Sequence, residues 1–372
     1  MPNTGTKTVC EKDMCAGCMA CVDSCGKNAI SVVDSLEAYN AVIDMDRCVG
    51  CGRCERVCPQ VSSPEAVTPI SWHQGWARDP RVRSVSSSGG YAAAISSAFM
   101  RSGGLVCSCR QVGDEFLFML TDDPEDLAAM QGSKYVKSNP RGAYKAVSKA
   151  LRAGQKVLFI GLPCQVAAMR KYNERHAELL YTIDLICHGS PSSQVLKRFL
   201  AEKGKSLDDG LLDFRKDIQF QLRFRGAGSV CRDGVRDRYM IAFLSGLPYT
   251  EGCYHCRYAR GERASDVTLG DSWGSELSEE LTKGVSLALC QTDKGRELLD
   301  LADIEQFPVD RENAIANNGQ LSHPSRKPKE RVTFFAGAEK GKKLSELIFR
   351  IYPKQCIKYG VKNLLLMMRL VK

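Results

Sequence analysis

Eight of the eighteen cysteines in this sequence stand in two runs with the same spacing, C-x2-C-x2-C-x3-C. The first run is Cys15, Cys18, Cys21 and Cys25, and the second is Cys48, Cys51, Cys54 and Cys58. Three closely spaced thiolates reach three irons of a cubane, and in two-cluster ferredoxins the fourth cysteine of each run ligates the other cluster. The repeat therefore predicts two [4Fe-4S] clusters with crossed ligands. The first is assigned to Cys15, Cys18, Cys21 and Cys58, and the second to Cys48, Cys51, Cys54 and Cys25.

A pair of zinc sites is the alternative explanation of this repeat. Structural zinc takes four cysteines per ion, usually from paired CxxC knuckles, so the duplicated four-cysteine runs favour iron. Cys58 is followed by the expected Pro59, whereas Cys25 is followed by Gly26, which can form the same turn. Cys10 lies outside the pattern and is interpreted as a spare thiol.

The segments around and beyond the cysteines predict the elements that must position them. Residues 29–33 and 41–44 are typical of two short strands, and the Ser- and Pro-rich residues 61–69 of a linker. From Ser71 onward strands alternate with helices, which favours an α/β or α+β layer architecture. The strand candidates are residues 105–109, 116–120, 156–160, 182–186 and 267–269. Strands of this kind that end in Gly-, Cys- or Asp-bearing loops are where α/β folds place their sites.

Composition is that of a globular protein, with 44% hydrophobic and 26% charged residues. No run reaches the roughly 18 consecutive apolar residues of a membrane span, and the first twelve residues lack the apolar segment of a secretory signal. We therefore expect a cytoplasmic protein, in which clustered cysteines serve metal or redox chemistry. Residues 326–372 hold thirteen Lys or Arg against three Glu, so the net charge of +9 belongs to this tail. A neutral body argues against nucleic acid as a partner.

Six further motifs follow one another beyond residue 80. They are SSSGG (86–90), QGSKYV (131–136), GLPCQVAAMR (161–170), DLICHG (184–189), CYHCR (253–257) and ASDVTLGDSWG (264–274). In this order they resemble the beta subunit of coenzyme F420-reducing hydrogenase and its relatives, including F420 dehydrogenase subunits and 7-hydroxymethyl chlorophyll a reductase. The resemblance covers about residues 10–320. It implies a flavoprotein oxidoreductase that carries FAD and [4Fe-4S] clusters, and its bacterial members often occur in polysaccharide-biosynthesis gene clusters.

Four more cysteines stand where separate loops can converge. Cys164 follows one predicted strand, Cys187 ends another, and Cys253 and Cys256 form a CxxC knuckle. Together they are one ligand set for a third [4Fe-4S] cluster. The alternative is that Cys164 and Cys187 are small core residues while the knuckle binds zinc alone.

No GxGxxG motif follows a strand, so the flavin prediction depends on the resemblance. A serine- and glycine-rich loop ahead of a helix suits a phosphate, although a plain helix cap has the same composition. A second loop offers a cation and an aromatic ring, although it is equally compatible with a surface turn. The candidate flavin contacts are Ser86, Ser87, Ser88, Gly89, Gly90, Gly132, Ser133, Lys134 and Tyr135. No nucleophile is required. His188 is a candidate proton donor, and a supporting role beside the cluster ligand Cys187 explains it equally well. Asp266 and Asp271 are better explained as structural caps.

The predicted fold is α+β and has four parts. A bacterial-type dicluster ferredoxin domain (1–62) precedes an α/β flavin-binding reductase core (71–150 and 151–325) and a basic helical tail (326–372). The predicted function is electron transfer between the clusters and a hydride-accepting substrate through FAD; the alternative is a non-catalytic electron-transfer subunit. Expected partners are a ferredoxin or a hydrogenase or dehydrogenase subunit. The amphipathic stretches 344–352 and 361–370 suit a membrane surface, or a helix docked on its own core.

Overall fold

The computed structural model describes residues 7–216, 218–225 and 229–370. Residues 1–6 of the predicted ferredoxin domain and 371–372 of the predicted tail lie outside these ranges. The first domain consists of α1 (Ala20–Ser24), β1 (Ile30–Asp34), β2 (Tyr39–Ile43) and α2 (Arg53–Arg56). The two strands pair antiparallel, and β2 buries every second residue, as expected of a strand with one face on a core.

The two cysteine loops share the same backbone conformation as well as the same cysteine spacing. Gly17 and Gly50 occupy equivalent positions in the two loops and have φ angles of 66° and 67°. Two residues further on, Met19 at 61° and Gly52 at 67° are also left-handed, and each immediately precedes a helix. Left-handed backbone is sterically open to glycine and costly for most other residues. The two loops therefore follow the same path, even though the first half places Met where the second has Gly.

Beyond the linker, strands and helices alternate. In chain order they begin with β3 (Ser71–Ala77), α3 (Pro80–Ser84), α4 (Tyr91–Arg101), β4 (Leu105–Val112), β5 (Glu115–Thr121), α5 (Pro124–Met130), α6 (Ala143–Arg152), β6 (Val157–Gly161), α7 (Pro163–Tyr172), β7 (Leu180–Leu185), α8 (Ser193–Ala201), β8 (Leu211–Lys216) and β9 (Gln219–Phe224). They continue with α9 (Arg238–Leu244), β10 (Val267–Asp271), β11 (Ser286–Cys290), α10 (Asp293–Leu301), β12 (Ile304–Pro308), α11 (Arg311–Asn317), α12 (Arg331–Glu339), α13 (Leu344–Ile351) and α14 (Pro353–Met367). The sequence predicted an α+β fold with an α/β core, and the observed fold is mixed α/β with one large mixed sheet.

Eight strands form one mixed sheet in the order β12-β3-β11-β10-β7-β6-β4-β5. The four strands β10, β7, β6 and β4 run parallel, and antiparallel strands flank them on both sides. β6 is buried at every position, which is typical of a central parallel strand. Because parallel strands end at the same edge, the segments after β6 and β7 meet the end of β10 there. Cys164, Cys187 and Asp271 lie on these segments.

The ferredoxin domain packs directly on this edge of the core. The Tyr144 hydroxyl donates to the Cys18 carbonyl at 2.7 Å, and the Tyr258 hydroxyl donates to the Pro59 carbonyl at 2.8 Å. A β carbon at Gly252 would lie 2.9 Å from the Met14 carbonyl, so the two loops approach backbone to backbone. These contacts fix the loop of the first cysteine run against the core.

The last helices contribute to a second core around the β8–β9 hairpin. Phe334 of α12 and Leu344 and Ile348 of α13 are 0–3% exposed and lie in one hydrophobic cluster with Tyr239 of α9. By contrast, α14 buries only Cys356. Within the described ranges, no helix combines the length and the apolar character needed to cross a membrane.

Candidate functional site

The first cysteine site brings together residues from both runs. Cys15, Cys18, Cys21 and Cys58 are all buried, and the Gly17 amide lies 3.4 Å from Cys15 Sγ. Burial and the neighbouring thiols raise the pKa of Cys18. Burial likewise raises the pKa of Cys21, whereas the neighbouring thiol of Cys10 lowers the pKa of Cys15 and of Cys58. The four thiols together fit a cationic iron cluster, because metal binding supplies the free energy that deprotonation costs. The predicted crossing of the runs therefore has the geometry it needs, and the ligand assignment stays a prediction.

The second cysteine site lies nearer the surface. Its cavity is lined by the first three cysteines of the second run, Cys48, Cys51 and Cys54, and by the last cysteine of the first run, Cys25. Cys51 is exposed, and the Ala29 amide donates to Cys25 Sγ at 3.3 Å. Amide hydrogen bonds to ligand sulfurs and solvent exposure are two of the factors that set a cluster's potential. The donor set again fits a cubane.

A third site lies at the carboxyl edge of the sheet. Its cavity, about 610 Å³ with the solvent at its mouth, is lined by the four cysteines that the sequence placed on separate loops: Cys164, Cys187, Cys253 and Cys256. Among the described residues, no three or more His, Cys, Asp or Glu side chains lie close enough together to hold a single metal ion. The four thiols instead surround an open space.

The lining of the third cavity has unsatisfied polar groups. The Ser190 hydroxyl, 4% exposed, has no hydrogen-bond partner within the described chain. Burial raises the pKa of Cys187 to about 12, so this thiol stays neutral unless a cation binds. Thr250 Oγ1 lies 3.4 Å from Cys253 Sγ. Buried polar groups are normally satisfied, so this donor set fits a [4Fe-4S] cluster whose sulfides accept hydrogen bonds.

The three sites form a continuous series. Cys54 of the second site is close enough to raise the pKa of Cys21 in the first site, after the larger effects of burial and of Cys15 and Cys58. Cys15 of the first site also lines the third cavity. The order along the molecule is therefore second site, first site, third site.

The serine loop ahead of α4 makes mostly internal hydrogen bonds. Ser86 Oγ donates to the Val82 carbonyl at 2.8 Å, and Ser88 Oγ donates to the Val285 carbonyl at 3.0 Å. Ser87 Oγ accepts from the Ser133 amide at 2.7 Å, so the two loops predicted to contact flavin are joined to each other. Gly90 has a φ of 89° and starts α4. Gly90 makes no side-chain cap hydrogen bond and none of the three serines caps α4, so their bonds serve to bring the two loops to one place.

Two candidates of the second loop point into the protein. Lys134 Nζ donates to the carbonyls of Met130 and Gln131 at 2.6 and 2.8 Å, which satisfies the end of α5. Burial lowers the pKa of Lys134 to about 8. The Tyr135 ring packs 4.7 Å from that of Phe243. Both side chains thus make contacts within the protein, and all four residues from Gly132 to Tyr135 are partly buried; their contact with flavin stays a prediction.

Asp266 and Asp271 have different surroundings. Asp266 is fully buried and accepts from the Thr182 amide at 2.8 Å and the Thr182 hydroxyl at 2.7 Å, as a structural cap does. Asp271 binds Arg215 in a bidentate pair at 2.6 and 2.9 Å. His188 lines the third cavity, and burial lowers the pKa of its imidazole. His188 and the Asp271–Arg215 pair therefore face the same edge of the sheet.

Sequence reasoning missed three residues of the site. Cys10, interpreted as spare, packs beside Cys15 and Cys58, and these neighbouring thiols raise its pKa. Arg215 comes from the β8–β9 hairpin, which the sequence did not predict. Lys137 lines the third cavity one residue beyond a quoted motif. Its neighbours in the sequence, Val136 and Ser138, give no signal that would have indicated it.

Comparison with known proteins agrees with this class of iron–sulfur redox protein. Residues 14–61 match the model of the 4Fe-4S dicluster domain. Residues 154–309 match the family model for the C terminus of the coenzyme F420 hydrogenase/dehydrogenase beta subunit. The resemblance to the coenzyme F420 hydrogenase and dehydrogenase beta subunits is thereby confirmed.

Two curated relatives extend the comparison. The chain is 26% identical over 191 residues to the F subunit of the F(420)H(2) dehydrogenase of Methanosarcina mazei, covering 48% of this chain and 54% of the relative. It is 24% identical over 326 residues to the coenzyme F420-dependent sulfite reductase of Methanocaldococcus jannaschii, covering 80% and 47%. The chain thus spans about half the length of the curated relatives it matches.

One solved structure supports the fold. A chain of the F420-reducing [NiFe] hydrogenase complex from Methanosarcina barkeri superposes with a TM-score of 0.50 at 18% identity, over 70% of this chain and 97% of that one. At this identity the likeness concerns the fold alone.

Proposed function

We propose that the protein is a flavin- and iron–sulfur-dependent oxidoreductase that passes electrons between [4Fe-4S] clusters and a hydride-accepting substrate through FAD. The observation that carries the proposal is the series of three cysteine sites, which leads from the exposed Cys51 to the carboxyl edge of the sheet. That edge is where α/β folds bind their ligands. The two domain matches support the redox chemistry.

In this proposal the ferredoxin cysteines hold two clusters in the crossed arrangement, and the four core cysteines hold a third. Clusters transfer single electrons and a flavin exchanges one or two, which is what a hydride substrate requires. The chain's contribution is positioning and exclusion of water. Burial keeps solvent from the first site. The Ser190 hydroxyl, which lines the third cavity and has no hydrogen-bond partner among the described residues, would be free to donate to a cluster sulfur there.

FAD is proposed to bind at the two loops joined by the Ser87–Ser133 hydrogen bond. Lys137, just beyond the second loop, lines the third cavity. The Ser133 amide is already used in the bond to Ser87, so the group proposed to face the flavin phosphate is the start of α4, with its positive helix end. His188 is placed to hold a proton next to the third cavity. F420 is the first substrate to test, because both curated relatives are named for it.

A second candidate is an electron-transfer subunit with no substrate of its own. The observation in its favour is that the chain spans about half of each curated relative, one of which is named as a subunit. A ferredoxin or a hydrogenase or dehydrogenase subunit would then dock beside Cys51. Both candidates place the protein in the cytoplasm.

The deciding experiment is anaerobic purification followed by measurement of iron, sulfide and released flavin per chain. The reductase predicts about twelve irons, for three cubanes, and one FAD. About eight irons and no flavin would contradict the reductase and leave the electron-transfer subunit. Reduction of F420 by the loaded protein would then identify the substrate class.

The exposed face of α14 supports a further partner, an anionic membrane surface. Ile357, Val361, Leu364 and Met368 follow helical spacing and are each 50–59% exposed. From residue 347 to 372 the chain has six Lys or Arg and no acidic residue. An exposed apolar stripe beside basic residues is the pattern of a helix that lies in a lipid interface.

Sedimentation with vesicles tests this partner. Wild-type protein should bind phosphatidylcholine vesicles that contain phosphatidylserine, and raised salt should weaken the binding. The double variant Ile357→Asn/Leu364→Asn should lose it. Val332→Asn, on α12 and 70% exposed, is the matched control and should bind like wild type. Equal binding by both variants would refute the membrane partner.

A further inference from the structure

Lys137 lies between the first and third cysteine sites. Its Nζ is 3.3 Å from the Ala16 carbonyl, in the loop of the first run, and 3.9 Å from Cys253 Sγ. It is 6% exposed, and it lines the same cavity as the four core cysteines. One buried ammonium group therefore contacts the ligand loops of two neighbouring sites.

The position of this ammonium group is fixed by its surroundings. The Lys137 amide donates to the Pro191 carbonyl at 2.9 Å, and Nζ lies 5.8 Å from the centre of the Tyr39 ring. A β carbon at Gly17 would be only 3.5 Å from Lys137 Cδ, so the stem runs close along the first loop. The side chain is enclosed along its length and cannot swing into solvent.

The charge of Lys137 needs a negative partner, and the sulfurs are the candidates. No carboxylate within the described part of the chain forms an ion pair with Lys137. The nearest sulfur is Cys253 Sγ, 3.9 Å from Nζ, and the sulfurs of Cys164 and Cys187 belong to the same cavity lining. A buried charge without compensation is strongly destabilising. Negative charge at the adjacent sites explains why a lysine is retained here.

We propose that Lys137 is a positioning residue that couples the first and third sites electrostatically and favours the reduced state of the third. Adding one electron to a cluster adds one negative charge, and a fixed cation about 4 Å from a ligand sulfur stabilises that charge in a low-dielectric interior. As one electron leaves the first site and enters the third, Lys137 keeps its proton and no bond forms or breaks. The proposal rests on the third cluster of the proposed function.

Redox titration followed by electron paramagnetic resonance, on the full chain purified anaerobically, tests this role. Lys137→Met should shift the reduction equilibrium of the third cluster at least tenfold toward the oxidised form, which is a potential about 59 mV lower. The first cluster should shift in the same direction, and the second should not move, because Lys137 does not line its cavity. Lys137→Arg should restore the wild-type potential.

Lys294→Met is the matched control. Lys294 is also largely buried, but its Nζ donates to the Ala177 carbonyl, at the opposite end of β7. The three potentials should be unchanged in this variant. Loss of the third cluster in Lys137→Met but not in Lys137→Arg would also support a role for the charge, whereas its loss in both would refute it.

Iron content and reduction potentials together distinguish the proposed function from the proposed role of Lys137. About eight irons in the wild-type protein would remove the third cluster and, with it, the proposed function. About twelve irons with potentials that Lys137→Met leaves unchanged would overturn the role of Lys137 alone.

Discussion

The crossing of ligands between the two ferredoxin runs can be tested by counting iron in double variants. Cys58 belongs to the second run in sequence but lies with Cys15, Cys18 and Cys21 of the first. If Cys58 and Cys21 serve the same cluster, Cys58→Ala/Cys21→Ala should lose one cluster, about four irons. Cys58→Ala/Cys51→Ala should lose two, about eight irons, because each substitution then removes a ligand of a different cluster.

Cys10 has to be removed first, because it contacts the thiols of Cys15 and Cys58 and is placed to replace either ligand. All variants are therefore made in a Cys10→Ser background, with Cys10→Ser itself as the reference for full iron content. Iron and sulfide are measured after anaerobic reconstitution, and electron paramagnetic resonance counts the remaining reduced clusters. The reverse pattern, with two clusters lost in the Cys58/Cys21 pair and one in the Cys58/Cys51 pair, would refute the crossed arrangement.

Two other predictions concern the body of the protein. Phe334→Ala on α12 should lower the free energy of unfolding by about 3–5 kcal/mol, because the side chain is fully buried. The control Val332→Ala, at a side chain that is 70% exposed, should change it little. Denaturant titration measures both values. Because of Lys134, the free energy of unfolding should rise with pH between about 8, the pKa of Lys134 in the folded chain, and 10.5, its pKa in the unfolded chain. In this window the unfolded chain still holds a proton that the folded chain has released. The thermal midpoint of wild type should rise relative to Lys134→Met across that window, and parallel midpoints would contradict the assignment.

The central strands show how far local pattern determines the fold. Residues 156–160, 182–186 and 267–269 were predicted as strands, and β6 (Val157–Gly161), β7 (Leu180–Leu185) and β10 (Val267–Asp271) match them within two residues. Continuous apolar runs bounded by polar loops carry this information in the chain itself. The flanking β8–β9 hairpin was missed, because its charged residues pair with distant partners such as Asp271.

The last helices show a different limit. The stretch 361–370 was predicted as a helix, but α14 starts at Pro353, where proline suits the first turn. An amphipathic stripe on 344–352 predicted helix α13 and left open what its apolar face covers. Burial of Leu344 and Ile348 against α9 depends on the tertiary arrangement, which periodicity does not encode.

The residues of the functional site could also be predicted only in part. The ferredoxin cysteines could be predicted because their spacing is local and repeated. The third set required strand ends to be brought together, and the role of Lys137 depends on two loops that are more than a hundred residues apart. Contacts between residues so far apart in the chain produce no periodic pattern in the sequence.

The exposure of Cys51 has a consequence for oxygen. If Cys51 holds a cluster, as proposed, that ligand is in contact with solvent and open to dissolved oxidants, whereas the thiols of the first site are buried. Air should therefore damage the series from its outer end inward. A sample handled briefly in air would then keep its inner sites, still reducible by small diffusible reagents, and lose its connection to a protein electron donor.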